Sequence, residues 1–120
     1  MHVSLKKLYK LVFGKVYCVD SIEDLEAEEW KVVEGTDNNY YVSSLGRVKS
    51  YKGYNARLLK QWNNSKGYLR TNINGSFVFV HRLVAEAFLE KKSEHEKETV
   101  HHINGHKNDN RKENLQWLTI

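Results

Sequence analysis

Proline is absent from this chain, and cysteine and methionine each occur once. With Cys18 as the single thiol, neither an internal disulfide nor a cysteine-built zinc cluster can form, which agrees with a reducing cytoplasm. Long hydrophobic runs are missing as well. The opening MHVSLKKLYKLVFGKVYCV is mildly apolar, but Lys10 and Lys15 interrupt it. It lacks the core of a signal peptide and nothing approaches a transmembrane span, so a cytoplasmic protein without membrane contact is expected. There is no internal repeat and no low-complexity tract. The most telling scarcity is of negative charge. From Asn38 to Ala85 there is no Asp or Glu, against eight Lys and Arg.

That scarcity divides the chain electrostatically. Residues 1–29 carry four Lys and six acids, a net charge of −2, whereas residues 30–120 carry fifteen Lys and Arg and nine acids, a net +6. The acid-free block also holds Tyr40, Tyr41, Tyr51, Tyr54, Trp62, Tyr68, Phe77 and Phe79. Basic residues interleaved with aromatics over such a length are the footprint of a phosphate-binding face. The eight cations, Arg47, Lys49, Lys52, Arg57, Lys60, Lys66, Arg70 and Arg82, are therefore candidate DNA contacts. Composition alone does not separate those that position the backbone from those that read bases. A hydrophobic content of 40% is enough for a folded core, in which Trp30, Trp62 and Trp117 are the simplest occupants.

Three stretches can be separated. Residues 1–29 read as an accessory arm, in which Leu5, Leu8 and Leu11/Val12 have roughly helical spacing and Asp20 or Ser21 caps a short acidic turn. Residues 30–80 read as a β-rich DNA-binding module, with strands at Trp30–Val33, Tyr40–Ser43, Arg47–Ser50, Tyr68–Ile73 and Phe77–Val80. Asn74–Gly75 is a strong two-residue hairpin signal, since both positions tolerate positive φ. From His81 the period changes to that of an amphipathic helix, HRLVAEAFLEKK, with Leu83, Val84, Ala87 and Phe88 on one face. Glu90–Glu98 is a charged connector, and residues 81–120 form the third unit.

The final segment, VHHINGHKNDNRKENLQWLT, collects the groups that metal-assisted phosphodiester cleavage needs. Adjacent His101 and His102 point opposite ways along a strand, so one imidazole can bind a divalent ion while the other deprotonates water. Asn108, Asp109 and Asn110 read as loop-shaping residues, His106 as solvated or phosphate-facing, and His81 as a structural hydrogen bonder.

Here the residues resemble a known family, the HNH homing-type endonucleases of phages and mobile introns. The resemblance is carried by His101, His102, Gly105, Lys107, Asn110, Arg111, Asn114, Leu115 and Trp117, by VHRLVAEAF (Val80–Phe88), and upstream by WKVVEG (Trp30–Gly35) and YVSSLGRVKS (Tyr41–Ser50). These upstream motifs are similar to the nuclease-associated DNA-binding module that opens such chains. The resemblance implies an α+β fold, with an N-terminal antiparallel β-ribbon or sheet module, a helix and a ββα-metal motif. It implies His101 as a metal ligand, His102 as general base, and Asn114 as the residue that hydrogen-bonds the base and fixes its ring. One Mg²⁺ or Mn²⁺ would be the cofactor, with DNA phosphate completing its shell. The family's last ligand lies on a helix just after a Trp-x-Thr segment. Trp117–Leu118–Thr119 is followed here by one residue, so this sequence is expected to lack that helix. The expected function is metal-dependent nicking of double-stranded DNA. The alternative is a catalytically weak or dead module acting as a DNA-binding regulator, or as a phage inhibitor of a host protein. A homodimer or a host protein is the expected further partner, in the host cytoplasm if the chain is phage-encoded.

Overall fold

Short β-branched and aromatic runs, cut by Gly, Asn and Ser, pair in chain order as antiparallel strands. The structure, a computed structural model, describes residues 9–12, 15–18, 24–53, 55–91 and 98–119. Strand β1 (Tyr9–Val12) pairs with β2 (Lys15–Cys18), with Tyr9 in register with Cys18. This corrects the helical reading of Leu11 and Val12. Four-residue runs containing Tyr9, Val12, Val16 and Tyr17 favour extended backbone over helix. Leu5, Leu8, Asp20 and Ser21 lie outside the described residues.

The expected ribbon or sheet module is built as two sheets. Strands β3 (Trp30–Val32), β4 (Tyr40–Ser43), β5 (Val48–Ser50) and β6 (Arg57–Leu58) form a four-stranded meander, and β7 (Trp62–Asn63), β8 (Leu69–Ile73) and β9 (Ser76–Phe79) form a three-stranded one. Asn74 and Gly75, at φ 52° and 87°, make the turn that sets Ile73 opposite Ser76. Both residues are left-handed, as the tight hairpin turn requires. The two sheets are tied across the break, where Thr71 Oγ1 donates to the Lys60 carbonyl at 2.8 Å and Gln61 Nε2 donates to the Gly46 carbonyl at 2.8 Å.

Helix α1 (Val80–Phe88) follows β9 directly and buries Val80, His81, Leu83, Val84 and Ala85. It is shorter than its amphipathic pattern, because Leu89 turns extended while its N–H still donates to the Ala85 carbonyl. Strands β10 (Glu98–His102) and β11 (Leu115–Thr119) form the last hairpin, with a single 3-10 turn at Lys112–Asn114 in the loop between them. One core joins these parts, with Val42, Val48, Ile73, Val80, Val84, Val100, Leu115 and Trp117 in the same cluster. Val42, Val48, Val80 and Val84 are fully buried, and each such burial stabilises the fold by roughly 1.5–3 kcal/mol. Trp117 belongs to this core, and its indole N–H donates to the Leu89 carbonyl at 3.3 Å. Trp62 does not. It is 40% exposed, which corrects the expectation of three core tryptophans. The fold is α+β, with several antiparallel sheets and one α-helix among the described residues. Among them no helix is long and apolar enough to cross a membrane.

Candidate active site and nucleic-acid face

Strand alternation separates the two histidines. Val100 and His102 point into the protein, whereas Thr99 and His101 are exposed. His102 retains 6% exposure, and its Nε2 lies 2.7 Å from Asn110 Oδ1. In the tautomer that carries its proton on Nε2, the ring donates to this amide oxygen and Nδ1 keeps the basic lone pair. The ring sits among other rings, with its centroid 5.9 Å from that of Tyr68 and 5.2 Å from that of His81.

His81 is itself enclosed, 5.2 Å from Tyr68 and 5.3 Å from Phe79 between centroids. Its Nδ1 is buried without a hydrogen-bond partner, so it is not the hydrogen bonder the sequence suggested. Burial first, then the neighbouring charges of His102 and Arg82, push its pKa from 6.5 down to about 4. His81 is thus a neutral aromatic wall beside His102.

The expected partner of the base was Asn114, and the structure assigns that contact to Asn110. Asn114 closes the loop instead. Its Oδ1 accepts from the Asn104 N–H at 3.0 Å, and its Nδ2 donates to Asn104 Oδ1 and to the Asp109 carbonyl, both at 2.9 Å. Asp109 ties the same loop, accepting from Arg111 at 2.7 Å and from Asn104 at 2.9 Å. Hydrogen bonds from Arg111 hold its carboxyl below the usual range, against the opposing effect of burial. Lys107 pins the loop to the turn before β8, with Nζ donating to the Lys66 carbonyl at 2.9 Å and lying 5.0 Å from the Tyr68 ring centre.

The SSLGRV turn between β4 and β5 carries Asn110 from behind. Lys112 N–H donates to the Ser44 carbonyl at 2.8 Å. Gly46, at φ 89°, passes so close that a Cβ there would stand 3.0 Å from Asn110 Cβ. Only glycine suits both the left-handed backbone and the close approach. Neither Gly46 nor Asn110 was singled out as a site residue from sequence. The SSLGRV motif was visible, but what it leans on is a long-range contact.

The eight candidate DNA contacts divide. Lys52, Arg57, Lys60, Lys66 and Arg82 are exposed, and Arg70 is half-buried. Lys52, Arg57 and Lys60 share an open groove of about 730 Å³ with Trp62, Asn72 and Asn74. Arg47 and Lys49, also expected as DNA contacts, are buried, at 9% and 8% exposure, and meet partners within the protein. Arg47 binds Glu28 through Nε at 2.9 Å and through its terminal nitrogen at 2.5 Å. Burial alone would raise the Glu28 carboxyl, but hydrogen bonds from Arg47, the Leu25 N–H and Ser43 hold it below its ordinary value. Lys49 Nζ lies 4.1 Å from the Trp30 ring centre and 5.3 Å from that of Tyr51.

As a metal centre the described residues are incomplete. His101 offers one imidazole, and no group of three His, Cys, Asp or Glu side chains comes together among the described residues. A single nitrogen does not satisfy an oxygen-preferring divalent cation such as Mg²⁺, so the donor set does not by itself fit the ion.

Comparison with known proteins bears on both halves. Residues 28–74 match the NUMOD4 motif, and residues 78–120 match the HNH endonuclease family. The chain is 37% identical over 95 residues to the DNA endonuclease I-HmuI of Bacillus phage SP01, an alignment spanning 76% of this chain and 52% of that protein. It is 39% identical over 101 residues to an uncharacterised HNH endonuclease of Acanthamoeba polyphaga mimivirus, spanning 78% of this chain and 24% of the relative. The solved structure of the HNH homing endonuclease I-HmuI aligns with a TM-score of 0.66, over 76% of this chain and 52% of that one. The chain therefore spans about half the length of one curated relative and about a quarter of the other. With a NUMOD4 motif leading into an HNH motif, and with sequence and fold each matching over about three quarters of its length, the chain is homologous to the HNH homing endonuclease I-HmuI.

Proposed function

We propose that this protein binds double-stranded DNA and hydrolyses a phosphodiester with His102 as general base. The observation that carries the reading is the 2.7 Å contact between His102 Nε2 and Asn110 Oδ1 inside the HNH loop. That contact leaves Nδ1 to take a proton from water. The water oxygen forms a bond to phosphorus, the P–O3′ bond breaks, and the departing 3′ oxygen is protonated by solvent. The ring is sheltered by Tyr68, His81 and Asn110, so substrate meets it from the side of the exposed loop 103–108.

Asn114 acts in this reading as the residue that closes the loop around the base, through Asn104 and the Asp109 carbonyl. His101, exposed on the outer side of the strand, is the candidate ligand for a divalent ion, Mg²⁺ or Mn²⁺. DNA phosphate oxygens are the chemical source for its further donors. The acid-free cations Lys52, Arg57, Lys60, Lys66, Arg70 and Arg82 supply the counter-charge for the duplex. One site of this kind cleaves one strand at a time.

The test is incubation of purified protein with supercoiled plasmid and Mg²⁺ or Mn²⁺. The reading expects relaxed circles that disappear in His102→Ala. Salt-sensitive binding without nicking would leave only a DNA-binding module. Neither binding nor nicking at low salt would point instead to a protein partner.

A further inference from the structure

Trp62 and Phe77 are large aromatic side chains left in solvent, at 40% and 53% exposure. They stand on β7 and β9, the two strands flanking β8, and meet edge to face with ring centroids 5.7 Å apart. Cations frame them. The Arg70 guanidinium lies 4.6 Å from the Phe77 ring centre and Lys60 Nζ 5.6 Å from that of Trp62. Arg70 Nε is buried without a hydrogen-bond partner, so this guanidinium is not fully committed within the protein. Trp62 also walls the groove that holds Lys52, Arg57 and Lys60, where Asn72 and Asn74 add amide groups and no carboxylate intrudes.

Exposed rings in contact with each other would ordinarily be covered by a core or a partner. What surrounds this pair selects the occupant. A flat π surface, cations in a row and no acid between residues 38 and 85 fit a ligand that is itself flat, aromatic and strung on phosphates. We infer that Trp62 and Phe77 form a stacking platform for an unstacked nucleobase of the bound DNA, with Lys60 and Arg70 on the adjoining phosphates. A fully paired duplex keeps its base faces covered, so the platform acts where a base step opens or a strand is single. The inference rests on the DNA-binding part of the proposed function and is independent of His102.

The experiment measures binding of a labelled short single-stranded oligodeoxythymidylate by fluorescence anisotropy across a salt series, with circular dichroism confirming the fold of each variant. Trp62→Ala and Phe77→Ala are each expected to weaken binding by roughly 5- to 150-fold without changing the salt slope, because ring stacking releases no counterions. Trp62→Phe keeps a stacking ring and stays close to wild type. Lys60→Ala instead flattens the slope by about 0.7 unit. Wild-type affinity in Trp62→Ala and Phe77→Ala would overturn the inference. So would a protein dimer that Trp62→Ala abolishes, since the patch would then be covered by a second copy. Plasmid nicking by the wild type, measured alongside, separates the two readings. Ring-dependent oligonucleotide binding without plasmid nicking by the wild type supports the platform and removes the nuclease, and nicking with ring-independent binding does the reverse.

Discussion

His81 gives the sharpest quantitative handle on the packing around the base. Its pKa falls from 6.5 to about 4 in the folded protein. Between those values the unfolded chain holds a proton on this imidazole and the folded chain does not. Stability therefore rises with pH through that window and is lost on acidification, at up to about 1.4 kcal/mol per pH unit. Little is lost above about pH 7, and the deficit reaches about 2–3 kcal/mol near pH 4.5. The cause is geometric, a ring buried against Tyr68, Phe79 and His102 with Nδ1 unpartnered and Arg82 nearby. Replacing it by Phe keeps an aromatic ring in an aromatic pocket and removes the titration. Urea unfolding of wild type and His81→Phe from pH 8 to 4.5 tests this. Whatever the offset at pH 8, the wild type should lose about 2–3 kcal/mol relative to the variant on acidification. Parallel curves would refute the burial of an unpaired neutral imidazole at this site.

Other consequences follow from the same geometry. Arg47→Ala strands Glu28 in a largely buried site and should cost about 3–5 kcal/mol in urea unfolding, a structural loss where the sequence suggested a DNA contact. Lys52→Ala and Arg57→Ala, by contrast, should leave stability within about 0.5 kcal/mol. Each should flatten the salt dependence of duplex binding by about one unit, and an unchanged slope would remove them from the interface. Gly46→Ala places a Cβ 3.0 Å from Asn110 Cβ at φ 89°. It should cost about 1–2 kcal/mol and lower nicking as well, whereas retained activity would show that Asn110 does not need its present seat. Asn110→Ala should lower the nicking rate about 10- to 100-fold with duplex affinity unchanged, because only the orientation and tautomer of His102 are lost.

Local chemistry made part of this fold readable. The Asn74–Gly75 turn could be read because positive φ at two successive positions singles out those residue types. Tyr40–Ser43 was matched in full, since its apolar and β-forming residues sit between clear turn signals. Strands β6 and β7, two residues each, carry too little pattern to detect, and they exist because β5 and β8 offer edges to pair with. The arm misled because Leu11 and Val12 fit a helical spacing as well as an extended run. At the site, the histidine pair and the loop were visible, but their connections were not. That Asn110 and not Asn114 meets His102 depends on how the loop folds over Gly46. Arg47 and Lys49 show the same limit, since an acid-free stretch reveals positive charge but not that Glu28 and Trp30 reach over from outside it.

The assignment of the base is tested most directly by plasmid nicking with Mg²⁺ or Mn²⁺ present, comparing wild type with His102→Ala and following duplex binding in parallel. Loss of nicking with binding retained is the predicted result. Nicking that persists at the wild-type rate in His102→Ala would contradict the account.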